Sequence, residues 1–199
     1  MNGDLLEHVE AHTTFILQGL SSSLCYHDLH HTVQVVAAAN ILGEKCGLSP
    51  HGKEIVCIAA WFHDTGFSIK YSDHEGASRT ILREFLTTVK YEREKIREIE
   101  DCIAATQMPQ HPDNLLQAVL CDADMSHISM DDFLKRLELL KHEWGQMLDQ
   151  VYDDQRWFHL NFEFLQNHEF LTPCGKKQFM DGKCQNLVKL EKLYGRQSE

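Results

Sequence analysis

The segment EIVCIAAWFHD, residues 54–64, is apolar on nearly every face when it is wound into a helix. A helix of this kind has no polar face to turn toward water, so other elements must surround it. Helical periodicity recurs along the chain, whereas the alternation typical of strands is weak almost everywhere. The sequence therefore predicts an all-α fold, a compact multi-helix bundle around this central helix.

The length and composition favour a single domain. The chain has 199 residues, of which 43% are hydrophobic, and this is enough for one substantial core. Four prolines and eleven glycines are too few for a low-complexity linker. We expect one domain over residues 1–199, with a core over about 22–130 and C-terminal packing helices over about 131–196. In the first predicted helix, Val9, Phe15 and Ile16 are expected to face inward.

The formal net charge of −11 constrains the partners of this chain. Such an acidic surface repels phosphate backbones, so we expect no large nucleic-acid partner. A small nucleotide remains compatible with it, because a bound cation can invert the local field. The sequence does not reveal the oligomeric state.

Several features predict a cytoplasmic protein without a membrane partner. No apolar run approaches the roughly 20 residues that span a bilayer. The N-terminal segment lacks the basic start and apolar core of a signal peptide. The seven cysteines include no CxxC pair, and most lie in apolar helical segments. We therefore expect reduced, buried thiols and no disulfide framework.

Four polar residues are hard to reconcile with an ordinary helical core. His63 and Asp64 come at the C-terminal end of the central helix, where burial and the helix dipole both disfavour a carboxylate. Asp122 follows another apolar run, LLQAVLC, and His31 precedes the apolar run VQVVAAANIL. A shared divalent cation would compensate both carboxylates. We therefore predict a metal site formed by His31, His63, Asp64 and Asp122.

Local motifs around these residues resemble a known family. YHDLHHT resembles a YHNxxHT helix, FHDTGF resembles an FHDxG motif, and CDADM resembles a DAD motif. Together with the order His31, His63-Asp64, Asp122, the chain resembles the HD-domain superfamily of metal-dependent phosphohydrolases, in particular its small single-domain bacterial members. The resemblance covers essentially the whole chain. It implies that His31, His63, Asp64 and Asp122 bind metal and that His27 donates a proton.

The resemblance also implies a reaction. A metal-bound hydroxide would attack phosphorus in a phosphate ester or phosphoanhydride of a small molecule, and we expect a nucleotide. Asp64 and His27 would be the catalytic residues, and Lys70 and His74 would contact the substrate, with His74 also a candidate ligand for a second metal. Two nitrogen and two oxygen ligands suit one or two ions of Mn, Fe, Co, Ni or Zn, and Mg with retained waters.

Three other interpretations remain open from the sequence. An HD-fold oxygenase would use a di-iron centre at the same place. A non-catalytic metal- or nucleotide-binding module would use the same ligands without turnover. A plain helical domain would hold no metal, and it leaves the two carboxylates uncompensated. The sequence does not identify the phosphorylated substrate, the metal, or whether the reaction is that of a monoesterase, a diesterase or a pyrophosphohydrolase.

Overall fold

The computed structural model describes residues 3–194, so positions 1–2 and 195–199 of the predicted domain lie outside it. Within that range the chain is all-helical, as predicted, with two short 3₁₀ turns at Thr65–Ser68 and Met125–Ser129. The α-helices in chain order are α1 (Gly3–Gln18), α2 (Leu29–Lys45), α3 (Pro50–Phe62), α4 (His74–Thr88), α5 (Arg93–Ala105), α6 (Leu115–Asp124), α7 (Phe133–Met147), α8 (Asp154–Asn167) and α9 (Pro173–Tyr194). None of these helices is both long and apolar enough to cross a bilayer.

Helix α3 is the centre of the bundle, as its sequence predicts. Ser49 caps its N-terminus by accepting a hydrogen bond from the backbone N–H of Gly52 at 3.1 Å, and Pro50 occupies its first turn. Every residue from Ile55 to Phe62 is buried. Helices α2, α5 and α6 pack around α3. The start of α2 and the end of α6 lie close to the C-terminus of α3.

Only part of the YHDLHHT motif is helical in the structure. The helix begins at Leu29, because Asp28 acts as its N-cap and accepts a hydrogen bond from the backbone N–H of His31 at 2.8 Å. His27 therefore lies in the segment before the helix. Its side chain is positioned by that segment and by distant residues.

Helix α1 buries Val9 as predicted, but the rest of its inward face differs from the prediction. Leu5, Val9, Thr13 and Leu17 are buried and follow one another at intervals of four residues. The hydroxyl of Thr13 donates a hydrogen bond to the carbonyl of Val9 at 2.9 Å, which allows a polar residue in this stripe. Phe15 is 79% exposed, so its assignment to the inward face was wrong.

The prediction that all cysteines are reduced is wrong for one pair. Cys46 caps the C-terminus of α2 and forms a disulfide with Cys174 in the first turn of α9, with their Cα atoms 5.7 Å apart. The two residues are far apart in sequence, so no local motif could signal the pairing. The remaining cysteines are free thiols, of which Cys57, Cys102 and Cys121 are buried.

Candidate metal centre

Three side chains meet where the ends of α2, α3 and α6 converge. His31 lies in the first turn of α2, His63 caps the C-terminus of α3, and Asp124 is the last residue of α6. One potential ligand atom from each lies within 4.8 Å of the others. Oδ1 of Asp124 is 3.2 Å from Nε2 of His31 and 3.6 Å from Nε2 of His63. This spacing could hold a single metal ion.

Asp64 adds a fourth potential ligand to this group. Its Oδ2 lies 3.5 Å from Nε2 of His31 and 3.2 Å from Nε2 of His63. Both Asp64 Oδ2 and His63 Nε2 are fully buried, yet neither has a hydrogen-bond partner among the described residues. Buried polar atoms are rarely left in that state, because the loss of hydration is not compensated. A cation between these atoms would satisfy them.

The orientation of His63 suits a metal ligand. Its Nδ1 lies 2.8 Å from the carbonyl oxygen of Ala60, one turn earlier, and as an N–H it would donate a hydrogen bond there. That bond selects the tautomer whose Nε2 carries a free lone pair, which is the arrangement found around metal-ligating histidines. The last turn of α3 therefore presents Nε2 of His63 to the cluster.

The charges of the cluster are strongly coupled. Burial alone would lower the pKa of His63, but Asp64 and Asp124 together raise it well above its usual range. Burial likewise disfavours the charged form of both carboxylates, yet their interactions with the nearby histidines lower the pKa of Asp64 and of Asp124. Without a metal, a proton on His63 balances the acids. A divalent cation would displace that proton.

Asp122, predicted as a ligand, lies outside this group. Its carboxylate accepts hydrogen bonds from the backbone N–H groups of Leu171 at 2.6 Å and Thr172 at 2.9 Å, and from the Thr172 hydroxyl at 2.6 Å. Burial raises its pKa. Residues two positions apart on a helix are separated by about 200° around its axis, so Asp122 and Asp124 point to opposite sides of α6. Asp124 takes the position that the sequence analysis gave to Asp122.

His27 lies beside the cluster and is held by a residue that the sequence analysis missed. Its Nδ1 contacts Oε1 of Glu143, a fully buried residue of α7. The backbone N–H groups of Tyr26 and His27 donate to Oε2 of Glu143 at 2.8 and 3.1 Å, and the Tyr71 hydroxyl donates to Oε1 at 2.9 Å. Burial opposes the charged form of Glu143, but its contacts with His27 lower its pKa overall. The His27 ring centroid is 6.0 Å from that of His31.

His74 also reaches the cluster, whereas Lys70 does not. Nε2 of His74 lies 3.5 Å from Oδ1 of Asp64, the oxygen that faces away from His31 and His63, and 3.6 Å from Oε1 of Glu75. Burial would lower the pKa of His74, but Asp64 raises it overall. The ring of His74 stacks on Phe67 at 3.8 Å. Lys70 is exposed and forms an ion pair with Asp73, in the loop before α4. The structure therefore does not bring Lys70 to the histidines.

A second set of aromatic and charged residues supports His31. The Tyr26 ring stacks on the His31 ring at 5.5 Å, and the guanidinium of Arg136 lies 4.7 Å from the centre of the Tyr26 ring. Nδ1 of His127 lies 3.0 Å from the carbonyl oxygen of Asp124. Burial, with the nearby His31, lowers the pKa of His127 to about 4, so this ring is neutral near pH 7. Only Tyr26 lies within a motif that the sequence analysis had singled out.

Comparisons of this chain with protein-family models, with characterised proteins and with solved structures found no match. The arrangement of side chains is therefore the basis for assigning a function. It consists of two buried imidazoles, the buried carboxylate of Asp64 and the partly buried carboxylate of Asp124, with His27 and His74 at the edge of the group.

Proposed function

We propose that this protein is a metal-dependent phosphohydrolase of the HD-domain type, acting on a small phosphorylated substrate such as a nucleotide. The observation that carries the proposal is the convergence of His31, His63, Asp64 and Asp124 around buried atoms that lack hydrogen-bond partners. A helical core that only needed to pack would place apolar side chains there.

The donor set fits a divalent transition metal. Two imidazole nitrogens and two carboxylate oxygens suit Mn, Fe, Co, Ni or Zn, and Mg is acceptable if it retains waters. Four protein ligands also leave coordination positions open on a six-coordinate ion. A bound cation would lower the pKa of a coordinated water and polarise a phosphoryl oxygen. The approach of an anionic phosphate to this acidic protein is favoured only once the cation is in place.

We assign the transfer of a proton in this reaction to His27. Its Nδ1 is engaged by Glu143, so Nε2 is the nitrogen that remains for a substrate. A protonated Nε2 could give its proton to a leaving oxygen, which is the role of a general acid. Phe67 packs against the rings of both His27 and His74, at 4.4 and 3.8 Å, and restricts their orientation at the edge of the cluster.

One observation favours a second candidate, an oxygenase with two iron ions. Asp64 directs Oδ2 toward His31 and His63 and Oδ1 toward His74, so its carboxylate lies between two groups of potential ligands. Glu75 lies near His74 and would be a further ligand. A site of this kind would consume oxygen and show a mixed-valent iron spectrum. A phosphohydrolase would release phosphate or pyrophosphate without oxygen.

The proposal is tested by measuring metal content and turnover together. The wild-type protein should hold about one or two equivalents of transition metal, and Asp64→Ala should lose most of it. His30→Ala is the matched control, since His30 neighbours His31 in α2 but is exposed and lies near Asp132. A panel of phosphorylated metabolites with Mn, Co, Ni, Mg and Zn then identifies the released product. Equal and negligible metal in the wild type and Asp64→Ala would refute the metal site.

A further inference from the structure

The disulfide lies in an accessible part of the surface, away from the histidine cluster. Cys46 and Cys174 are both half-buried and border an open cavity of about 520 Å³. Its other lining residues are Lys45, Leu115, Pro173 and Lys177. A small molecule can therefore reach the sulfur atoms. Burial, by contrast, raises the pKa of the Cys57 thiol to about 11 and that of Cys102 to about 12, so these thiols are unreactive near pH 7.

The bond is adjacent to the contacts that hold α9 to α6. Sγ of Cys174 lies 3.3 Å from the hydroxyl oxygen of Thr172. That oxygen accepts a hydrogen bond from the backbone N–H of Gly175 at 2.8 Å, and the hydroxyl donates to Asp122 at 2.6 Å. The first turn of α9 is thus tied covalently to the end of α2 and by hydrogen bonds to Asp122 of α6.

The charges around the cavity indicate which thiols would react there. Lys45 and Lys177 are both exposed and flank the disulfide, in a protein whose formal net charge is −11. The amino group of Lys45 donates a hydrogen bond to the side chain of Gln178. Because Gln178 is neutral, this contact does not neutralise the positive charge of Lys45. This local positive field would attract an anionic thiol and stabilise the thiolates that form on reduction.

We propose that Cys46 and Cys174 form a reversible thiol–disulfide exchange site for anionic low-molecular-weight thiols, and that its oxidation state controls how firmly the start of α9 is held on Asp122. In the reducing direction, a thiolate attacks one sulfur, the bond between Cys46 and Cys174 breaks, and the second sulfur leaves as a thiolate. A second thiolate then resolves the mixed disulfide. The protein gains two thiols, and the two small thiols become one disulfide, so two electrons are transferred. Oxidation by that small disulfide is the reverse.

The first experiment counts thiols in the full-length protein after equilibration and rapid denaturation. Cys184 is a free, exposed thiol that would itself react with a small disulfide, so the count is made in Cys184→Ser. With the disulfide of 2-mercaptoethanesulfonate we expect four free thiols in this variant, and with excess 2-mercaptoethanesulfonate we expect six. Reduction by this anionic thiol should be roughly threefold to tenfold faster than reduction by neutral 2-mercaptoethanol, after correction for thiol pKa, and Lys45→Glu with Lys177→Glu should remove the difference. Six thiols under every condition, four under every condition, or equal corrected rates would overturn the proposal.

The second experiment measures by amide hydrogen exchange how the disulfide affects the start of α9. Reduction should increase hydrogen exchange severalfold at the amides of Leu171 and Thr172, which donate to Asp122, and should leave the amides of α3 unchanged. Cys46→Ser should exchange like the reduced protein under oxidising conditions. Cys184→Ser is the matched control, because Cys184 is a free, exposed thiol on the same helix α9. Equal exchange at Leu171 and Thr172 in the oxidised protein, the reduced protein and Cys46→Ser would contradict the second half of the proposal.

Discussion

Oδ1 of Asp124 lies 3.2 Å from Nε2 of His31, whereas the carboxylate of Asp122 contacts the start of α9. The two acids belong to the same short helix and the same CDAD motif, yet the fold gives them different roles. Asp124 completes a group that could hold a metal ion. Asp122 joins α6 to α9. This division of roles can be tested by replacing each acid separately.

Asp124→Asn should weaken metal binding, whereas Asp122→Asn should mainly lower the stability of the fold. Loss of the Asp124 charge removes a potential ligand, so Mn²⁺ affinity should fall by about 100-fold or more, beyond the effect of an outer-shell change. Asp122→Asn should keep affinity within about threefold, and it should lower the free energy of unfolding by about 1–3 kcal/mol because buried donors lose a charged acceptor. Calorimetric Mn²⁺ titration and urea denaturation measure the two quantities. A loss of Mn²⁺ binding in Asp122→Asn alone would restore the original assignment.

Glu143→Gln should impair turnover but not metal binding. The neutral amide cannot stabilise a protonated His27 as the carboxylate does, so kcat should fall by about 100-fold, within the range of general acid catalysis. Tyr71→Phe removes only one hydrogen bond to Glu143 and should cost about tenfold or less. Steady-state kinetics on the substrate from the phosphometabolite panel, with metal analysis and circular dichroism, checks both variants. Unchanged kcat in a folded, metal-loaded Glu143→Gln would remove His27 from the proton-transfer role.

His168 should make the protein sensitive to acid. Burial, with the charge of the nearby Lys183, lowers the pKa of His168 to about 4, below the ordinary value of 6.5. The unfolded chain therefore binds a proton on this residue more readily, and stability falls as the pH drops from about 6.5 toward 4. His168→Gln should flatten that part of the curve of unfolding free energy against pH. His159→Gln, on the exposed face of α8, is the matched control variant.

Gly175→Ala should be markedly destabilising because the space beside it is occupied. A Cβ atom at position 175 would lie 2.2 Å from Oδ2 of Asp122, whose hydrogen bonds to Leu171 and Thr172 hold it in place. We expect a loss of about 1–3 kcal/mol in unfolding free energy, as for other overpacked sites. Gly145→Ala is the contrast, because the nearest neighbouring atom to its Cβ is 3.8 Å away and helix α7 gains about 1 kcal/mol of propensity. Thermal and urea denaturation compare the two, and equal stabilities would contradict the contact.

The sequence predicted much of the fold because helices are determined locally. Ser49 and Pro50 mark the start of α3, and the apolar run after them requires burial whatever surrounds it. The same reasoning singled out His31, His63 and Asp64, since a polar group inside such a run has few ways to be compensated. These residues do lie together in the structure. Phe15 shows that hydrophobic periodicity has a limit as a predictor of burial, because it was expected to face the core and is exposed. The apolar residues of α1 are compatible with either of two neighbouring helix faces being buried.

Only the tertiary structure could decide between Asp122 and Asp124, because α6 is buried on nearly all sides and its residue pattern favours no face. The segment that leads into α9 distinguishes the two acids. The backbone N–H groups of Leu171 and Thr172 donate hydrogen bonds to Asp122, and Asp124 lies beside the histidines. Glu143 and the pairing of Cys46 with Cys174 were likewise beyond local reasoning, as each depends on helices distant in the chain. The sequence by itself determined a helical bundle with histidines and acids in its core. The packing of the helices determined which of those side chains meet, because that depends on distances between segments that no local pattern encodes.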